Sequence, residues 1–154
     1  MQELDKKLTV LSDIAHVLNE KNIIWAIGGS LLLYLKGKTD SFHDIDIMVY
    51  EYDVYRLKEL LSPMGILAPP NPDKQYRTRH FLEFTIDDVE VDVMAGFVIV
   101  KDGNEYDCSL LPEQIAEYSK VNGEMIPLQS MEDWRNYYEL MGRKNKVEMI
   151  DREG

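Results

Sequence analysis

Two aspartates placed two residues apart, Asp44 and Asp46, are the residues of this chain best suited to chemistry. They lie in the apolar run 42–49, which is typical of a buried β-strand. Side chains alternate across a strand, so both carboxylates are expected to point the same way while Ile45 and Ile47 point to the other face. Two neighbouring anions in a half-buried strand repel each other and are costly to desolvate. A divalent cation would offset that repulsion, and magnesium prefers oxygen ligands of this kind.

The same spacing is also found where a surface strand carries two solvated aspartates, so the flanking sequence has to separate the two interpretations. Upstream, residues 23–27 predict a short buried strand that runs into Gly28-Gly29-Ser30 and then into an apolar stretch able to form a short helix. Glycines let the backbone approach a ligand, and free amides at a helix start attract anions. The segment therefore suits either a phosphate-binding turn or a plain tight turn, and Ser30 can cap the helix in both cases.

Downstream, residues 81–86 and 89–94 predict a β-hairpin closed by the turn Asp87-Asp88. In its second strand three valines alternate with Glu90 and Asp92, which places the apolar and acidic side chains on opposite faces. Glu90 fits a solvated outer face. Asp92 is a third carboxylate that would join the first two if the strands are neighbours.

This order of motifs resembles the nucleotidyltransferase superfamily, whose fold is shared with the polymerase beta-type catalytic domain. Gly28-Gly29-Ser30 matches the glycine-serine signature of that family, and Asp44-x-Asp46 matches its paired acids. Asp92 between two valines matches the third carboxylate. Residues 36–41 resemble the Gly-x-x-Arg/Lys-Thr/Ser stretch that precedes the paired acids in the small-molecule branch, and the resemblance extends over about residues 23–94.

The resemblance implies an α/β (α+β) nucleotidyltransferase fold, with helices packed on a small mixed sheet. We expect a single domain over residues 1–154, with a catalytic core at about 23–100 and a C-terminal hairpin and helix at about 101–154. The family resembled most is that of the small bacterial or archaeal antibiotic and abortive-infection enzymes.

The implied activity is transfer of a nucleoside monophosphate from a nucleoside triphosphate, with ATP as the expected donor, to an acceptor hydroxyl. By the same resemblance, Asp44, Asp46 and Asp92 are the expected catalytic residues and metal ligands, and Gly28, Gly29 and Ser30 the expected nucleotide-binding residues. Two magnesium ions are implied, and Mn²⁺ is an acceptable substitute.

The acceptor is left open by the sequence. One branch of the superfamily inactivates antibiotics such as lincosamides and aminoglycosides, and another modifies protein or transfer-RNA acceptors in toxin–antitoxin and phage-defence pairs. The alternative is a non-catalytic nucleotide- or partner-binding module that keeps the fold, such as one half of a toxin–antitoxin pair. The oligomeric state and the roles of the basic segments 77–79 and 143–146 are also open.

The composition indicates which kinds of partner the protein can bind and in which compartment it is expected. Acidic residues outnumber basic ones, 28 to 17, and the net charge of −11 weighs against tight, non-specific nucleic-acid binding. An acidic surface would attract a cationic acceptor such as an amino-sugar. A single cysteine, Cys108, excludes an intrachain disulfide, and there is no signal-peptide pattern or apolar run of membrane-spanning length. The expected location is the cytoplasm, away from membranes.

Further elements are predicted by periodicity and turn signals. Residues 2–20 and 52–62 predict amphipathic helices, whereas three prolines predict an irregular segment at 68–74. Hairpin turns are expected at 101–104 and 121–124. Ser130 is the predicted cap of a helix that Gly142 ends and whose core-facing side carries Trp134, Tyr137, Tyr138 and Met141.

Overall fold

The computed structural model describes residues 2–152, and these form six α-helices and nine β-strands. The helices are α1 (Gln2–Glu20), α2 (Gly29–Leu35), α3 (Val54–Leu61), α4 (Pro72–Gln75), α5 (Met131–Leu140) and α6 (Lys144–Asp151). The strands are β1 (Trp25–Ile27), β2 (Ile45–Val49), β3 (Ile66–Leu67), β4 (His80–Ile86), β5 (Val89–Ala95), β6 (Val98–Lys101), β7 (Asn104–Asp107), β8 (Ile115–Val121) and β9 (Glu124–Gln129).

Seven of these strands form one mixed sheet in the order β3-β4-β5-β2-β1-β9-β8, while β6 and β7 form a separate hairpin. Strand β2 runs antiparallel to β1 and parallel to β5, so two strands distant in sequence become neighbours at the centre of the sheet. A small mixed sheet with helices packed on it confirms the predicted α/β fold.

One face of the central strands is fully apolar. Ile45 and Ile47 of β2 pair with Val91 and Val93 of β5, and all four side chains are completely buried. Helix α1, which has the predicted bounds, packs on the sheet through contacts with β5, β8 and β9. Burial of this apolar layer supplies the main stabilisation that the fold needs to hold polar groups on the other face of the same strands.

The two predicted hairpin turns and the helix cap at Ser130 are confirmed. The Ser130 hydroxyl accepts a hydrogen bond from the Asp133 N–H at 3.0 Å. Gly142, two residues after the end of α5, adopts the left-handed φ of +73°. Three other predictions were inexact. Strand β2 begins at Ile45, so Asp44 precedes it, and the third helix is shorter than predicted, with 3₁₀ turns at both ends. Strand β5 was predicted to end at residue 94 and instead ends at Ala95, because Gly96 adopts φ +63°.

The prediction of an entirely irregular segment at 68–74 was wrong, because its last residues enter helix α4. Pro72 occupies the first helical position, where the missing N–H costs nothing, and the Asn71 side chain accepts a hydrogen bond from the Lys74 N–H at 3.4 Å. Within the described residues no helix has the length and apolar character needed to cross a membrane.

Candidate active site

Strands β2 and β5 bring Asp46 and Asp92 side by side. The two residues are register partners in the parallel pairing, on the face opposite the buried isoleucines and valines, and both are half-buried. Asp44 lies just before β2, with 33% of its side chain exposed. Asp44 and Asp46 line the same cleft, which has a volume of about 470 Å³. The structure therefore places Asp46 and Asp92 side by side on two adjacent strands, with Asp44 just before the first of them.

The environment of these acids opposes their ionisation. Burial, followed by the negative charges of Asp92 and Asp44, raises the pKa of Asp46 to about 7. Burial also raises the pKa of Asp92 to about 6, with Asp44 adding to the effect and Lys74 opposing it. Each carboxylate would be stabilised in its ionised form by a cation placed between them.

A further acid and a base, Glu83 and Lys74, extend the group in a way that the sequence analysis missed. Glu83 on β4 is the antiparallel partner of Asp92, so the acids of three neighbouring strands form a row. The Lys74 Nζ lies 2.8 Å from the Glu83 Oε2, and this hydrogen bond is the main cause of the raised pKa of Lys74. The two-residue turn at Asp87-Asp88 was the available signal, because counting back from it pairs Glu83 with Asp92.

The glycine pair fits closely around this group. The Gly28 N–H donates to the Asp46 carbonyl oxygen at 3.2 Å, and Gly29 adopts φ +63°. A methyl group at Gly29 would overlap the Asp46 Oδ2, and one at Gly28 would overlap the Trp134 ring. Only glycine satisfies both the left-handed backbone and the contact at position 29.

Ser30 does not cap helix α2, which corrects one of the sequence predictions. Gly28 occupies the cap position and Ser30 lies within the helix, half-buried and lining the cleft. The local reason is that the helix starts at the left-handed Gly29, two residues earlier than a cap at Ser30 would require. The Ser30 side chain therefore belongs to the wall of the cleft.

An aromatic wall, which we define as Phe97, Trp134, Tyr137 and Tyr138, lies next to the acids. The Trp134 ring stacks on Phe97 with a centroid distance of 6.1 Å and an interplanar angle of 19°. Its Nε1 donates to the Gln129 Oε1 at 2.8 Å. The three α5 aromatics are buried, as predicted, whereas Met141 is exposed because it lies beyond the last residue of α5, at the cleft.

The two basic segments have different surroundings. Arg77 lies 3.6 Å from Glu105, and Arg79 pairs with Glu51 at 2.9 Å and with Asp107 at 3.5 Å. These contacts tie the first segment to the 3₁₀ turn that precedes α3 and to the β6–β7 hairpin. In the second segment, Arg143 and Lys146 line the cleft together with the acids.

The carboxylate oxygens of the site are ligands that suit a hard divalent cation. Among residues 2–152, no three His, Cys, Asp or Glu side chains already form an arrangement that could hold a metal ion. Magnesium does not require such a protein cage, because it binds through one or two carboxylates and completes its shell with water and substrate phosphates. Asp46 and Asp92 supply suitable oxygens, and a cation between them would offset the burial and repulsion that raise their pKa values.

Solved structures with this architecture define the class of protein. TM1012 from Thermotoga maritima, assigned as a nucleotidyltransferase, has 25% identity and a TM-score of 0.72, over 96% of this chain and 91% of that chain. ANT(2'')-Ia in complex with adenylyl-2''-tobramycin has 14% identity and a TM-score of 0.67, over 95% and 86%. The lincosamide antibiotic adenylyltransferase LnuA, with lincomycin bound, has 15% identity and a TM-score of 0.56, over 86% and 84%. The last two share the fold.

The chain is thus a small member of the nucleotidyltransferase superfamily. Within it, the chain belongs to the aminoglycoside-2''-adenylyltransferase family, whose model matches residues 10–153. A comparison with curated protein sequences gave no match. Family and fold together support transfer of a nucleoside monophosphate as the general activity.

Proposed function

We propose that this protein transfers adenylate from ATP to a hydroxyl group of a cationic, aminoglycoside-type acceptor. The observation that carries the proposal is the pairing of Asp46 with Asp92 on adjacent parallel strands, directly beside Gly28-Gly29-Ser30 and an open cleft. Membership of the aminoglycoside-2''-adenylyltransferase family supports the choice of donor and acceptor. The shared fold with ANT(2'')-Ia, solved with adenylyl-2''-tobramycin, is consistent with it.

In this proposal Asp44, Asp46 and Asp92 hold two magnesium ions, for which Mn²⁺ can substitute. When bound, such ions neutralise phosphate charge and stabilise the attacking and leaving oxygens of an in-line displacement. Asp92 has a second role in this proposal, because its carboxylate would accept the proton of the acceptor hydroxyl.

The glycine-serine segment binds the two terminal phosphates of the donor. Gly29 brings the backbone close to the acids without a side chain in the way, and Ser30 presents its hydroxyl to the cleft. These contacts involve phosphates that leave as pyrophosphate. Their loss should therefore weaken donor binding more than it slows the chemical step.

The proposed acceptor is cationic because the protein is strongly acidic. The row of Asp46, Asp92 and Glu83 is acidic, and the whole chain carries a net charge of −11. Such a field attracts polycations and raises their local concentration. An amino-sugar antibiotic combines several ammonium groups with the hydroxyl that the reaction needs.

Turnover with labelled ATP, magnesium and tobramycin as the probe acceptor tests the proposal. The wild type should release pyrophosphate and give an adenylated product by mass spectrometry. Asp92→Asn should lower kcat by about 10²–10⁴-fold with ATP binding retained, because a proton acceptor and metal ligand is lost. Glu90→Gln is the matched control, since it removes a carboxylate from the same strand but from an exposed position.

Ser30→Ala should chiefly raise the KM for ATP. Equal activity of the wild type and Asp92→Asn would reject the proposed role of the acids. Binding of ATP without turnover, tested over aminoglycosides, lincosamides, RNA and protein acceptors, would instead favour the non-catalytic binding module.

A further inference from the structure

Arg143 and Lys146 have no acidic partner among residues 2–152. Of the five other arginines, Arg56, Arg77, Arg79 and Arg135 each lie within 4.0 Å of a carboxylate, whereas Arg152 forms no such pair within the described residues. Neither Arg143 nor Lys146 forms such a pair with any residue in the range 2–152. In a chain with a net charge of −11, two unpaired cations at the same cleft need a reason.

The junction of α5 and α6 determines where these two side chains lie. The left-handed Gly142 reverses the chain, and the Arg143 N–H then donates to the Tyr138 carbonyl oxygen at 2.8 Å. The Arg143 guanidinium lies 5.8 Å from the centroid of the Tyr138 ring, a cation–π distance. The Lys146 N–H donates to the Arg143 carbonyl oxygen at 3.0 Å, so Arg143 occupies the cap position of α6 and Lys146 lies on its first turn.

The cleft that receives them also contains Ser30, Asp44 and Asp46. Lys146 is half-buried, and its pKa is lowered first by burial and then by the charge of Arg143, with Asp46 acting in the opposite direction. The two cations thus repel each other across a partly desolvated space. An anion between them would relieve that repulsion, as a metal ion would relieve the repulsion among the acids.

A ligand that compensates both the two cations and the acids of the cleft must be a polyanion that carries its own cations. A nucleoside triphosphate with bound divalent metal has this character, since its phosphates bear charge along a chain of several atoms. A guanidinium recognises phosphate oxygens in a two-pronged geometry, and an ammonium acts as a point charge. The aromatic wall beside them is apolar and offers no competing anion.

We infer that Arg143 and Lys146 bind the triphosphate of the donor nucleotide, so that the α5–α6 junction forms the phosphate-binding wall of the cleft. This inference rests on the proposed function and assigns it two further substrate-binding residues. It also separates the two basic segments by role, because Arg77 and Arg79 are occupied by carboxylates of the protein itself.

The test is calorimetric binding of ATP, AMP and inorganic tripolyphosphate, each with magnesium, to the wild type and to Arg143→Gln, Lys146→Gln and the double variant. Each single change should weaken ATP and tripolyphosphate binding by roughly 10-fold or more, the worth of a charged hydrogen bond. Binding of AMP should change far less. Arg143→Lys, which keeps the charge but not the two-pronged geometry, should restore part of the loss.

Lys144→Gln is the matched control. It removes the same charge from the same turn. Lys144 lines the adjacent cavity with Lys101 and Val147 but does not line this cleft, whereas Arg143 lines both. Its ATP affinity should equal that of the wild type. An equal loss in Lys144→Gln would show a general charge effect and overturn the inference.

The two proposals fail in different ways. A wild type that binds neither ATP nor tripolyphosphate would reject the proposed function together with this inference. A wild type that binds ATP, with both single variants unchanged, would overturn the inference alone. Thermal unfolding of each variant separates lost binding from lost folding, and the single variants decide the matter where the double variant fails to fold.

Discussion

Asp46, which lies beside Asp92, and the aromatic wall, through Phe97, Trp134 and Tyr138, line the same cleft but contribute to the protein in opposite ways. Phe97, Trp134 and Tyr137 contact one another at ring-centroid distances between 5.2 and 6.1 Å, in stacked and edge-on geometries that stabilise the fold. Asp46 and Asp92 are held in a buried setting that raises both pKa values. The aromatic wall therefore stabilises the fold, whereas holding the two acids in a buried setting costs stability.

The glycine pair lies between the two sides and touches both of them. Gly28 packs against the Trp134 ring, and Gly29 packs against the Asp46 carboxylate. Neighbouring residues of one turn thereby couple the stabilising wall to the acids. Substitutions on either side, and in the turn itself, should reveal whether stability and chemistry are divided in this way.

The largest effect is expected at Trp134. Trp134→Ala should lower the free energy of unfolding by about 3–5 kcal/mol, because it empties a large site in the core. It also removes the hydrogen bond to Gln129, a completely buried side chain whose Nε2 already has no partner among the described residues. Chemical denaturation, followed by far-ultraviolet circular dichroism, measures the change.

Tyr118→Ala is the control for this substitution. Tyr118 is an aromatic residue with 58% exposure, so its loss should alter the free energy of unfolding by no more than about 0.5 kcal/mol. A similarly small change for Trp134→Ala would show that the wall does not stabilise the fold, and the contrast between the two sides of the cleft would be lost.

A smaller effect is expected in the turn. Gly29→Ala should cost about 1–3 kcal/mol, since a left-handed backbone disfavours a side chain, and it should also displace the Asp46 carboxylate. Gly37→Ala is the matched control, because Gly37 has φ +77° and nothing within 4 Å of an added methyl. The difference between the two variants in denaturation isolates the Asp46 contact, and equal losses would show that the contact does not matter.

Much of the fold was predictable because local patterns determine it. Alternation in residues 81–94 and the two-residue turn between the strands predicted the β4–β5 hairpin, and helical spacing predicted α1 with its observed bounds. Helix α6 was not predicted, since Lys144–Asp151 offers few apolar residues and its main contacts are with α5. Helix α4 was hidden by prolines that suggest irregular structure.

The candidate site was predictable only in part, for a different reason. Residue types and spacing indicated Asp44, Asp46 and Asp92, and the hairpin turn pairs Glu83 with Asp92. The row that these two form with Asp46 depends on β2 lying beside β5, which no local pattern encodes. The two basic segments look alike in sequence. They differ because Glu51, Glu105 and Asp107, distant along the chain, lie beside only one of them.

The smallest expected effect, and the most specific to the acids, is a dependence of stability on pH. Asp46 has a pKa of about 7 in the folded protein, above its usual value of 3.8, so the folded state binds the proton more tightly. Stability should therefore be greatest below about pH 4 on account of this group and fall as the pH rises through about 7. Asp92, with a pKa of about 6, adds to the same decline.

Asp46→Asn should remove the part of the decline in stability that occurs as the pH rises through about 7. At pH 8 the variant should be more stable than the wild type, by on the order of 1 kcal/mol, because a neutral amide relieves the repulsion from Asp44 and Asp92. At pH 4 the two proteins should unfold at similar temperatures, and magnesium at pH 8 should raise the Tm of the wild type more than that of the variant. Thermal unfolding from pH 4 to 8 provides the measurement. A variant that is less stable than the wild type at pH 8 would assign Asp46 a structural role and remove the contrast with the aromatic wall.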